Sequence, residues 1–441
     1  MKFALVLFGA FLGVFAAPAC ADELAPVPFA SEPAPAPAAT ATQVLLDPAP
    51  VDSPKKYPTV ELGGVLQLDT GWFSQDTRNR RQVGNARDGT SFRTARLWGK
   101  GQLQENVGYM IEMDFGTLAS GSPGRPNFQN AYVELQQLPT LGTLRLGRWK
   151  QPVSLETVSS IRFLPFIERA SLFAFVPFRR TGLGFFDATP DERWTYAASV
   201  FRAGDDGYGD LATDAGGWAA AARVTHLLWN ENDGERLLHL GVSHSYNDAV
   251  NDTVRFARFG EFAINQTPVY NLSTSTPNQF DTGIIPTNNY NVLGAEFAWV
   301  NGPFSVQAET VVTVVDRIDG TNPVFYGWYL FGSWFATGEH RNYIPGMGAF
   351  DRVKPHRNFV TSRHHGIEGP GAWEFLARVS QVDVNDGNVD GGQLTALTLG
   401  VNWHWNPNAK LQFNFIQNVR RVPGLDRSEF QVYGFRMAYD F

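Results

Sequence analysis

Two stretches of the sequence are strongly basic, and nearly all of their basic residues are arginines. The stretch from Arg78 to Lys100 has a net charge of +6 and the stretch from Arg145 to Arg180 has a net charge of +5, whereas the whole chain of 441 residues carries −7. A guanidinium group stays charged and offers a planar fork of N–H donors that fits two oxygen atoms of an oxyanion. The two stretches therefore indicate oxyanion binding, with compositional bias or an outer face that contacts lipopolysaccharide phosphates as the alternatives.

The apolar neighbours of several arginines predict which way their side chains point. Arg145, Arg378 and Arg436 each alternate with apolar residues in a predicted strand. If the apolar face meets lipid, an arginine on that face near the membrane midplane would cost about 2 to 4 kcal/mol, so we expect all three to point inward. Arg93 and Arg96 differ in parity, so both can point inward only if a bulge lies between them.

Alternation of apolar and polar residues recurs along the chain after Tyr57, where no run of 18 apolar residues occurs. Alternating segments of roughly ten residues are typical of strands that cross a bilayer at a tilt. Because lipid cannot satisfy an open sheet edge, such strands must close on themselves. The sequence therefore predicts an all-β fold, a transmembrane antiparallel β-barrel of about sixteen strands. The predicted strands begin near Val60, Ser91, Val107, Phe128, Thr143, Gly182, Arg193, Gly217, Arg236, Tyr290, Phe304, Val324, Ala372, Gln393, Ala409 and Ser428.

The stretch from about Lys150 to Thr181, between the fifth and sixth predicted strands, is too long for a simple hairpin connection. We expect it to fold into the barrel as a constriction loop. Low-dielectric walls focus the electric field inside a narrow channel, so basic residues on this loop would raise the local concentration of anions.

The N-terminal region has the features of an export signal followed by a tether. Lys2 precedes an apolar stretch and cleavage is expected before Asp22, so residues 1–21 are predicted to be a signal peptide. Residues 22–56 are rich in proline and alanine and are predicted to be a periplasmic tether, and residues 57–441 are predicted to form the barrel. Cleavage would remove Cys20, the one cysteine of the sequence, and acylation of Cys20 in a lipoprotein is the alternative.

The last predicted strand alternates aromatic or apolar residues with small or polar ones and ends on Phe441. This ending resembles the terminal aromatic signature of outer-membrane barrels, which implies the barrel-insertion machinery as a partner. Tryptophans near other strand ends are predicted to form interfacial girdles in contact with outer-membrane lipid, and these are Trp72, Trp149, Trp229, Trp299 and Trp328.

The region from Val60 to Phe441 resembles the phosphate-selective porin O and P family through a series of ordered motifs. These motifs are Phe92 to Leu97 (FRTARL), Tyr109 to Gly116 (YMIEMDFG), Gln129 to Leu135 (QNAYVEL), Gly147 to Pro152 (GRWKQP), Phe166 to Ala170 (FIERA), Arg179 to Gly184 (RRTGLG), Gly327 to Arg341 (GWYLFGSWFATGEHR), Gly371 to Val379 (GAWEFLARV) and Leu399 to Asn406 (LGVNWHWN). The sequence departs from the family pattern at Thr94, where an arginine is frequent, and at Val153-Ser154, which replace Phe-Gly.

The resemblance implies a homotrimer of sixteen-stranded barrels in the cell outer membrane of a Gram-negative-type bacterium. It also implies a passive channel for small anions, phosphate or polyphosphate, with an arginine ladder at the constriction. The resemblance, the charge runs and the strand parity together mark the candidate anion-binding residues Arg93, Arg96, Lys100, Arg145, Arg148, Lys150, Arg162, Arg169, Arg179, Arg180, Arg378 and Arg436.

Three alternatives to a phosphate channel remain open at the level of sequence. A general anion porin without phosphate preference is one, and a structural barrel that anchors the envelope is another. An enzyme is the third, because the segment from Val242 to Asp248 contains His, Ser, Asn and Asp, although His244 and Ser245 have opposite parity. His364-His365 near Glu368 lack the spacing of a zinc site, and we predict no cofactor and no nucleic-acid partner.

Overall fold

The computed structural model describes residues 56–116, 126–204, 217–264, 276–362 and 366–441, and Lys56–Phe441 form one compact unit. The predicted signal peptide with Cys20, residues 22–55 of the predicted tether, and the pair His364-His365 lie outside the described residues. Among the described helices, none has the length and apolar character needed to cross a membrane.

Sixteen long antiparallel strands form the wall of a barrel. In chain order, β1 to β16 are Glu61–Gln75, Gly89–Gln104, Val107–Asp114, Asn127–Leu138, Gly142–Lys150, Arg179–Ala188, Trp194–Arg202, Trp218–Glu231, Arg236–Asp248, Ile285–Asn301, Phe304–Arg317, Val324–Phe335, Ala372–Asp386, Val389–Asn406, Ala409–Arg421 and Ser428–Asp440.

The predicted barrel of about sixteen strands is confirmed. β1 pairs antiparallel with β2 along one edge and with β16 along the other, where Val65 lies opposite Asp440, so the sheet is closed. Every strand begins within five residues of its predicted start. The largest difference is at β10, which begins at Ile285 because Ile285 and Pro286 pair with a short strand, Thr253–Val254, in the preceding connection.

Short helices and strands lie in the connections between the barrel strands. The α-helices are Thr77–Val83 and Leu155–Val158, the 3-10 helices are Ser171–Phe175, Asn232–Gly234, Val250–Asp252 and Pro345–Met347, and the remaining short strands are Ala257–Arg258, Phe280–Asp281, Tyr343–Ile344, Ala349–Phe350, Val360–Ser362 and Gly366–Gly369.

The two faces of the wall have opposite polarity, as expected of a barrel in lipid. Along β11, the outward side chains of Phe304 and Val314 are exposed, whereas the inward side chains of Gln307 and Glu309 are buried. The same alternation of exposed apolar and buried polar residues recurs in the other long strands. Apolar side chains on the outside suit hydrocarbon, and polar side chains on the inside suit an aqueous lumen.

The wall is low on one side and high on the other. Strands β3 to β7 have 8, 12, 9, 10 and 9 residues, and we call them the short wall. The other eleven strands have 12 to 18 residues, and among them β13 with 15 and β14 with 18 form what we call the high wall. Since β13 is eight strands away from β5 in a ring of sixteen, the high wall lies opposite the short wall.

The two ends of the barrel also differ. At the end where β1 begins and β16 ends, most connections have two to five residues, and we call it the turn end. The exception is residues 336–371, which connect β12 to β13. At the opposite end, the loop end, residues 151–178 connect β5 to β6 and residues 249–284 connect β9 to β10.

The loop of residues 151–178 folds into the barrel, as predicted, and reaches the far wall. The backbone N–H groups of Leu155 and Glu156 donate to the carboxylate of Glu309 on β11 at 2.9 and 2.8 Å. The N–H of Ile167 donates to Asn414 Oδ1 on β15 at 2.9 Å. Phe166 packs edge-on against Phe331 of β12 with 5.3 Å between ring centroids. Polar and apolar contacts together therefore fix this constriction loop across the lumen.

The predicted girdle position is wrong for Trp149. Its side chain is buried, and its strand neighbour Arg145 points into the lumen with the same parity. Trp149 therefore packs inside the barrel, near Gly184 of β6, rather than at the lipid interface. Trp72 and Trp229 have exposed side chains, as a girdle requires.

Candidate anion-binding site

A bulge in β2 places Arg93 and Arg96 on the same side of the wall. In the pairing with β1, Gln67 lies opposite Thr94 but the next residue, Leu68, lies opposite Phe92. Arg93 is therefore the extra residue, and its side chain turns into the lumen to meet the constriction loop. This bulge is the condition under which both arginines could face inward.

Three cations surround the ring of Phe178 at the base of the constriction loop. Arg179 Cζ lies 4.5 Å from the ring centroid, Arg169 Cζ lies 5.2 Å away and Lys150 Nζ lies 5.9 Å away. Arg96 and Arg148 are close enough to add their positive charges to this group. We call these five basic residues the Phe178 cluster.

Backbone carbonyl groups, rather than carboxylates, hold two members of the Phe178 cluster. Lys150 Nζ donates to the carbonyl oxygens of Val158 at 3.2 Å and Ser159 at 2.6 Å. Arg169 donates to the carbonyl oxygens of Glu156 at 2.9 Å and Ser159 at 3.1 Å. Burial, reinforced by neighbouring arginines, lowers the pKa of Arg169 to about 10, so Arg169 is still a cation at neutral pH. These contacts fix the position of the charges without neutralising them.

Arg179 is the least satisfied member of the Phe178 cluster. Its side chain is 4% exposed, and Nε and Nη1 have no hydrogen-bond partner among the described residues. The nearest described carboxylate is Glu112, whose Oε2 lies 3.9 Å from Arg179 Nη2 and whose Oε1 lies 3.7 Å from Arg96 Nη1. Arg96 itself is paired with Asp114 at 2.7 Å. Among the described residues, no carboxylate therefore lies within 3.5 Å of Lys150, Arg169 or Arg179.

A second group of arginines in the lumen is fully paired. Arg436 on β16 donates to both carboxylate oxygens of Asp69, at 2.6 and 2.7 Å, and to Glu168 at 3.1 Å. Arg93 also makes two hydrogen bonds to Glu168, at 2.6 and 3.1 Å. Burial alone would raise the pKa of Glu168, but Arg93 and Arg436 outweigh it and the pKa falls to about 2. We call these four residues the Glu168 network.

Arg378 also joins the constriction loop to another loop through carboxylates. Its Nη2 lies 2.5 Å from Glu261, in the connection between β9 and β10, and its Nη1 lies 3.5 Å from Glu156. Glu156 in turn accepts from the N–H of Ala170 at 2.9 Å. Arg378 therefore points inward, and its charge is balanced by the loops it holds.

The remaining four predicted site residues belong to none of these groups. Arg180 donates to the carbonyl oxygen of Ala203 at 3.1 Å. The other three lie at the turn end, each beside a carboxylate: Arg145 at 2.6 Å from Glu134, Lys100 at 3.3 Å from Glu61, and Arg162 at 3.5 Å from Asp440.

The charge of +5 counted along Arg145 to Arg180 is therefore not the charge that the lumen presents. Carboxylates outside this stretch approach three of its arginines: Glu134 lies beside Arg145, Asp440 beside Arg162 and Glu112 near Arg179. A count along the chain cannot include them, because the barrel brings together residues that are far apart in sequence. Within the described residues, Lys150 and Arg169 are bound by carbonyl oxygens rather than by carboxylates.

Sequence reasoning missed several lumenal groups. Arg258, in the β9–β10 connection, lies 4.8 Å from the Phe173 ring and 4.0 Å from Glu168. Arg223 on β8 is paired with Glu296 at 2.7 Å. Strand parity could have identified Arg223, whereas no local signal places the irregular segment around Arg258 beside the constriction loop.

The structure separates the side chains of the enzyme alternative. On β9, Ser245 is buried on the inner face, whereas His244 is exposed on the outer face and contacts Asn291 at 3.0 Å. In the part of the chain that the structure describes, no group of three or more His, Cys, Asp or Glu could hold a metal ion.

Comparisons with known proteins agree with this architecture. A family model described as phosphate-selective porin O and P matches residues 60–441. Porin O of Pseudomonas aeruginosa is 27% identical over 384 residues, covering 81% of this chain and 82% of that protein. An uncharacterized protein of Caulobacter vibrioides is 25% identical over 434 residues, covering 92% of this chain and 82% of that protein.

Solved structures of outer-membrane channels share the fold. The DcaP channel of Acinetobacter baumannii superposes with a TM-score of 0.52 at 11% identity, covering 87% of this chain and 97% of that chain. The anion-selective porin from Comamonas acidovorans has a TM-score of 0.51 at 14% identity, covering 86% of this chain and 99% of that chain. At such identities the likeness concerns the fold alone.

Proposed function

Since the chain belongs to the phosphate-selective porin O and P family and is thus a porin of the Gram-negative outer membrane, we propose that it conducts small anions passively. Phosphate or polyphosphate is the preferred solute in this proposal, and the Phe178 cluster is the selective site. The observation that carries the proposal is the buried guanidinium of Arg179, with two nitrogen atoms unpartnered among the described residues and with Lys150 and Arg169 on the same aromatic ring.

A phosphate ion would supply what Arg179 lacks. Two oxygens of a tetrahedral oxyanion can accept from one guanidinium fork, and a neighbouring ammonium such as that of Lys150 can bind a third. Water is scarce at a constriction, so the attraction between the ion and these charges is only weakly screened. Conduction also requires release, and the remaining carboxylates, Glu112 and Asp114, moderate the affinity.

Planar-bilayer recording of the purified protein tests the proposal. In a potassium chloride gradient, the reversal potential should show anion selectivity, and phosphate should block chloride current more strongly than perchlorate, a monovalent anion of similar shape. Replacing Arg169, Arg179 and Arg180 together by Gln should shift the reversal potential toward cations, because each loses a fixed charge within about one Debye length, roughly 8 to 10 Å, of the passing ion.

The alternatives predict different recordings. Cation selectivity of the unchanged protein would refute a selective role for the Phe178 cluster. Anion selectivity with equal block by phosphate and perchlorate would leave a general anion porin. Absence of conductance would favour a structural barrel or an enzyme.

We also propose that the short wall is the interface of a homotrimer. Three of its five strands have eight or nine residues, and at about 3.3 Å each these tilted strands fall short of the hydrocarbon thickness of about 25 to 30 Å. The short wall nevertheless exposes large apolar side chains, including Ile111, Leu146 and Leu183. Contact with a second copy covers such a wall better than lipid does. Cross-linking should yield trimers that Leu146→Arg dissociates, whereas Leu397→Arg on the high wall should leave them intact in detergent.

Phe441 is proposed as the signal for the barrel-insertion machinery. Phe441 is 58% exposed, although its backbone carbonyl oxygen accepts a hydrogen bond from the N–H of Gly64 at 3.1 Å. The ring is therefore available for recognition before the barrel closes. Deletion of Phe441 should lower the outer-membrane amount of the protein much more than its synthesis, and unchanged membrane levels would contradict this role.

A further inference from the structure

The connection of residues 336–371 has an inner part and an outer part. The inner part lies in the turn end of the barrel, where Arg341 Nη1 donates to Gln307 on β11 at 3.0 Å and the Tyr343 hydroxyl contacts His239 on β9 at 2.7 Å. The outer part contains a two-stranded hairpin, Val360–Ser362 with Gly366–Gly369. We call residues 354–362 and 366–370 the rim hairpin.

The rim hairpin is attached to the outer face of β14. The N–H of Phe359 donates to the carbonyl oxygen of Trp405 at 2.6 Å, and Trp403 Nε1 donates to the carbonyl oxygen of Pro370 at 2.8 Å. The Phe359 ring lies 4.7 Å from the Trp403 ring, which stacks on Trp373 of β13 at 5.0 Å. Trp373 and Trp403 share parity with exposed apolar residues of their strands, so this aromatic group faces outward.

The position of the rim hairpin leaves lipid as its neighbour. It packs against β14, and β13 and β14 lie opposite the short wall proposed as the trimer interface. In outer-membrane barrels the short turns are periplasmic, so the turn end lies at the inner leaflet of the outer membrane. An outward aromatic group at this depth is typical of the membrane–water interface.

The exposed side chains of the rim hairpin match a phospholipid in both of its parts. Val360 and Ile367 are 46% and 66% exposed and offer apolar surface to acyl chains. Lys354 and Arg357 of the same segment are exposed and offer two positive charges, against one exposed carboxylate, Glu368. Basic residues next to a membrane attract anionic lipids, roughly fivefold in occupancy for each Lys or Arg.

We infer that the rim hairpin is a docking site for an anionic phospholipid of the inner leaflet, with Lys354 and Arg357 binding the headgroup phosphate and Val360 and Ile367 contacting the acyl chains. This site is independent of which ion the channel conducts. It accounts for the combination of exposed apolar and basic side chains on a segment that is far longer than the other connections at the turn end.

A cysteine reporter tests the inference on the full chain. Cys20 is the one cysteine of the sequence, so Ile367→Cys in a Cys20→Ser background gives a unique thiol for a bimane fluorophore. The labelled protein is reconstituted in phosphatidylcholine vesicles that contain equal mole fractions of dibrominated phosphatidylglycerol or dibrominated phosphatidylcholine. Quenching by the brominated phosphatidylglycerol should be at least about fivefold stronger at low mole fractions.

Matched variants separate a specific site from a general charge effect. K354Q/R357Q should reduce the preference to about equal quenching, whereas R193Q/R236Q should keep it, because Arg193 and Arg236 are exposed at the turn end away from the rim hairpin. Val360→Cys provides a second reporter in case Ile367→Cys disturbs the hairpin. Equal quenching by both lipids in the unsubstituted background, or no quenching at either position, would overturn the inference.

Discussion

The Glu168 network and the Phe178 cluster place the same kind of residue in the same lumen with different partners. Arg436 has two carboxylates within hydrogen-bond distance, and Glu168 is shared with Arg93. Arg179 has one carboxylate oxygen at 3.9 Å and unpartnered nitrogen atoms within the described chain. The first arrangement keeps the constriction loop in place, whereas the second leaves binding capacity for an ion that comes and goes.

Energetics explain why the two groups differ. Breaking a buried, hydrogen-bonded ion pair exposes the remaining charge to a low-dielectric interior and costs about 3 to 5 kcal/mol. A buried cation that has too few partners is already in that costly state. Its removal should therefore cost function rather than stability. The two groups thus predict opposite outcomes for the same substitution.

The largest expected effect is that of Arg436→Met. The substitution leaves Asp69 unpaired and deprives Glu168 of one of its two arginines, so the folded barrel should lose about 3 to 5 kcal/mol of stability. The constriction loop should also detach more often, which would appear as larger and noisier single-channel conductance. The temperature of the heat-induced shift in gel mobility measures the loss of stability.

Arg427→Met is the matched control for Arg436→Met. Arg427 pairs with Glu429 at 2.6 Å on the surface, with both side chains about half exposed. Removing an exposed pair should cost less than about 1 kcal/mol. Equal effects of the two substitutions would contradict a structural role for the Glu168 network.

Arg179→Met should have the next largest effect, and on function alone. Loss of a charged hydrogen-bond donor at about 1.5 to 3 kcal/mol corresponds to a roughly tenfold to hundredfold weaker block of chloride current by phosphate. Stability should be unchanged or higher, because Glu112 keeps Arg96 as a neighbour and no buried carboxylate is stranded. If Arg179→Met unfolds more easily but still binds phosphate normally, Arg179 has the structural role that is assigned here to the Glu168 network.

The barrel was predictable from sequence because strand parity and the cost of an open edge in lipid are local and general constraints. The strand starts at Val107, Arg236 and Ala409 were predicted to the residue. The orientation of Arg378 and Arg436 followed from the same parity. The bulge that turns Arg93 inward was identified as a condition, but its presence could not be decided, because no sequence feature distinguishes Arg93 as the extra residue.

The partners of the arginines were not predictable. Glu168 belongs to the constriction loop and Asp69 to β1, and only the folded chain brings both to Arg436 on the last strand. Trp149 shows a related limit. A tryptophan near a strand end lies in the interfacial girdle or in the lumen depending on its parity, and its position near the strand end does not decide between them. Local sequence patterns predict which face of the wall a side chain points to, whereas the ion-pair partners of that side chain depend on the whole folded barrel.

A smaller effect is expected from Glu112→Gln, which removes a carboxylate beside the Phe178 cluster instead of an arginine. Glu112 approaches both Arg96 and Arg179, so its neutralisation makes the charge around the Phe178 cluster more positive. Phosphate block should become about threefold to tenfold stronger, as expected for one charge a few ångströms away in a partly aqueous site. Glutamine preserves a side-chain oxygen for Asn130, which donates to Glu112 at 2.5 Å. Glu134→Gln, near Arg145 at the turn end, is the control and should leave the block unchanged.

The smallest effect is expected from the titration of Glu168 and Arg169 between pH 5 and 8.5. The pKa of Glu168 is about 2, below its ordinary value of 4.5, so the stabilisation from this carboxylate is fully present above pH 4.5 and is lost as the pH falls toward 2. The pKa of Arg169 is about 10, so the Phe178 cluster keeps this charge throughout the range. Attachment of the constriction loop through Glu168 and the charge of Arg169 should therefore stay constant between pH 5 and 8.5, so Glu168→Gln should leave any pH dependence of chloride conductance in this range unaltered. Release of the constriction loop should appear only on acidification below pH 4.5, and Glu168→Gln should remove that acid dependence. A conductance transition with a midpoint near pH 6 that Glu168→Gln removes would contradict this assignment of Glu168.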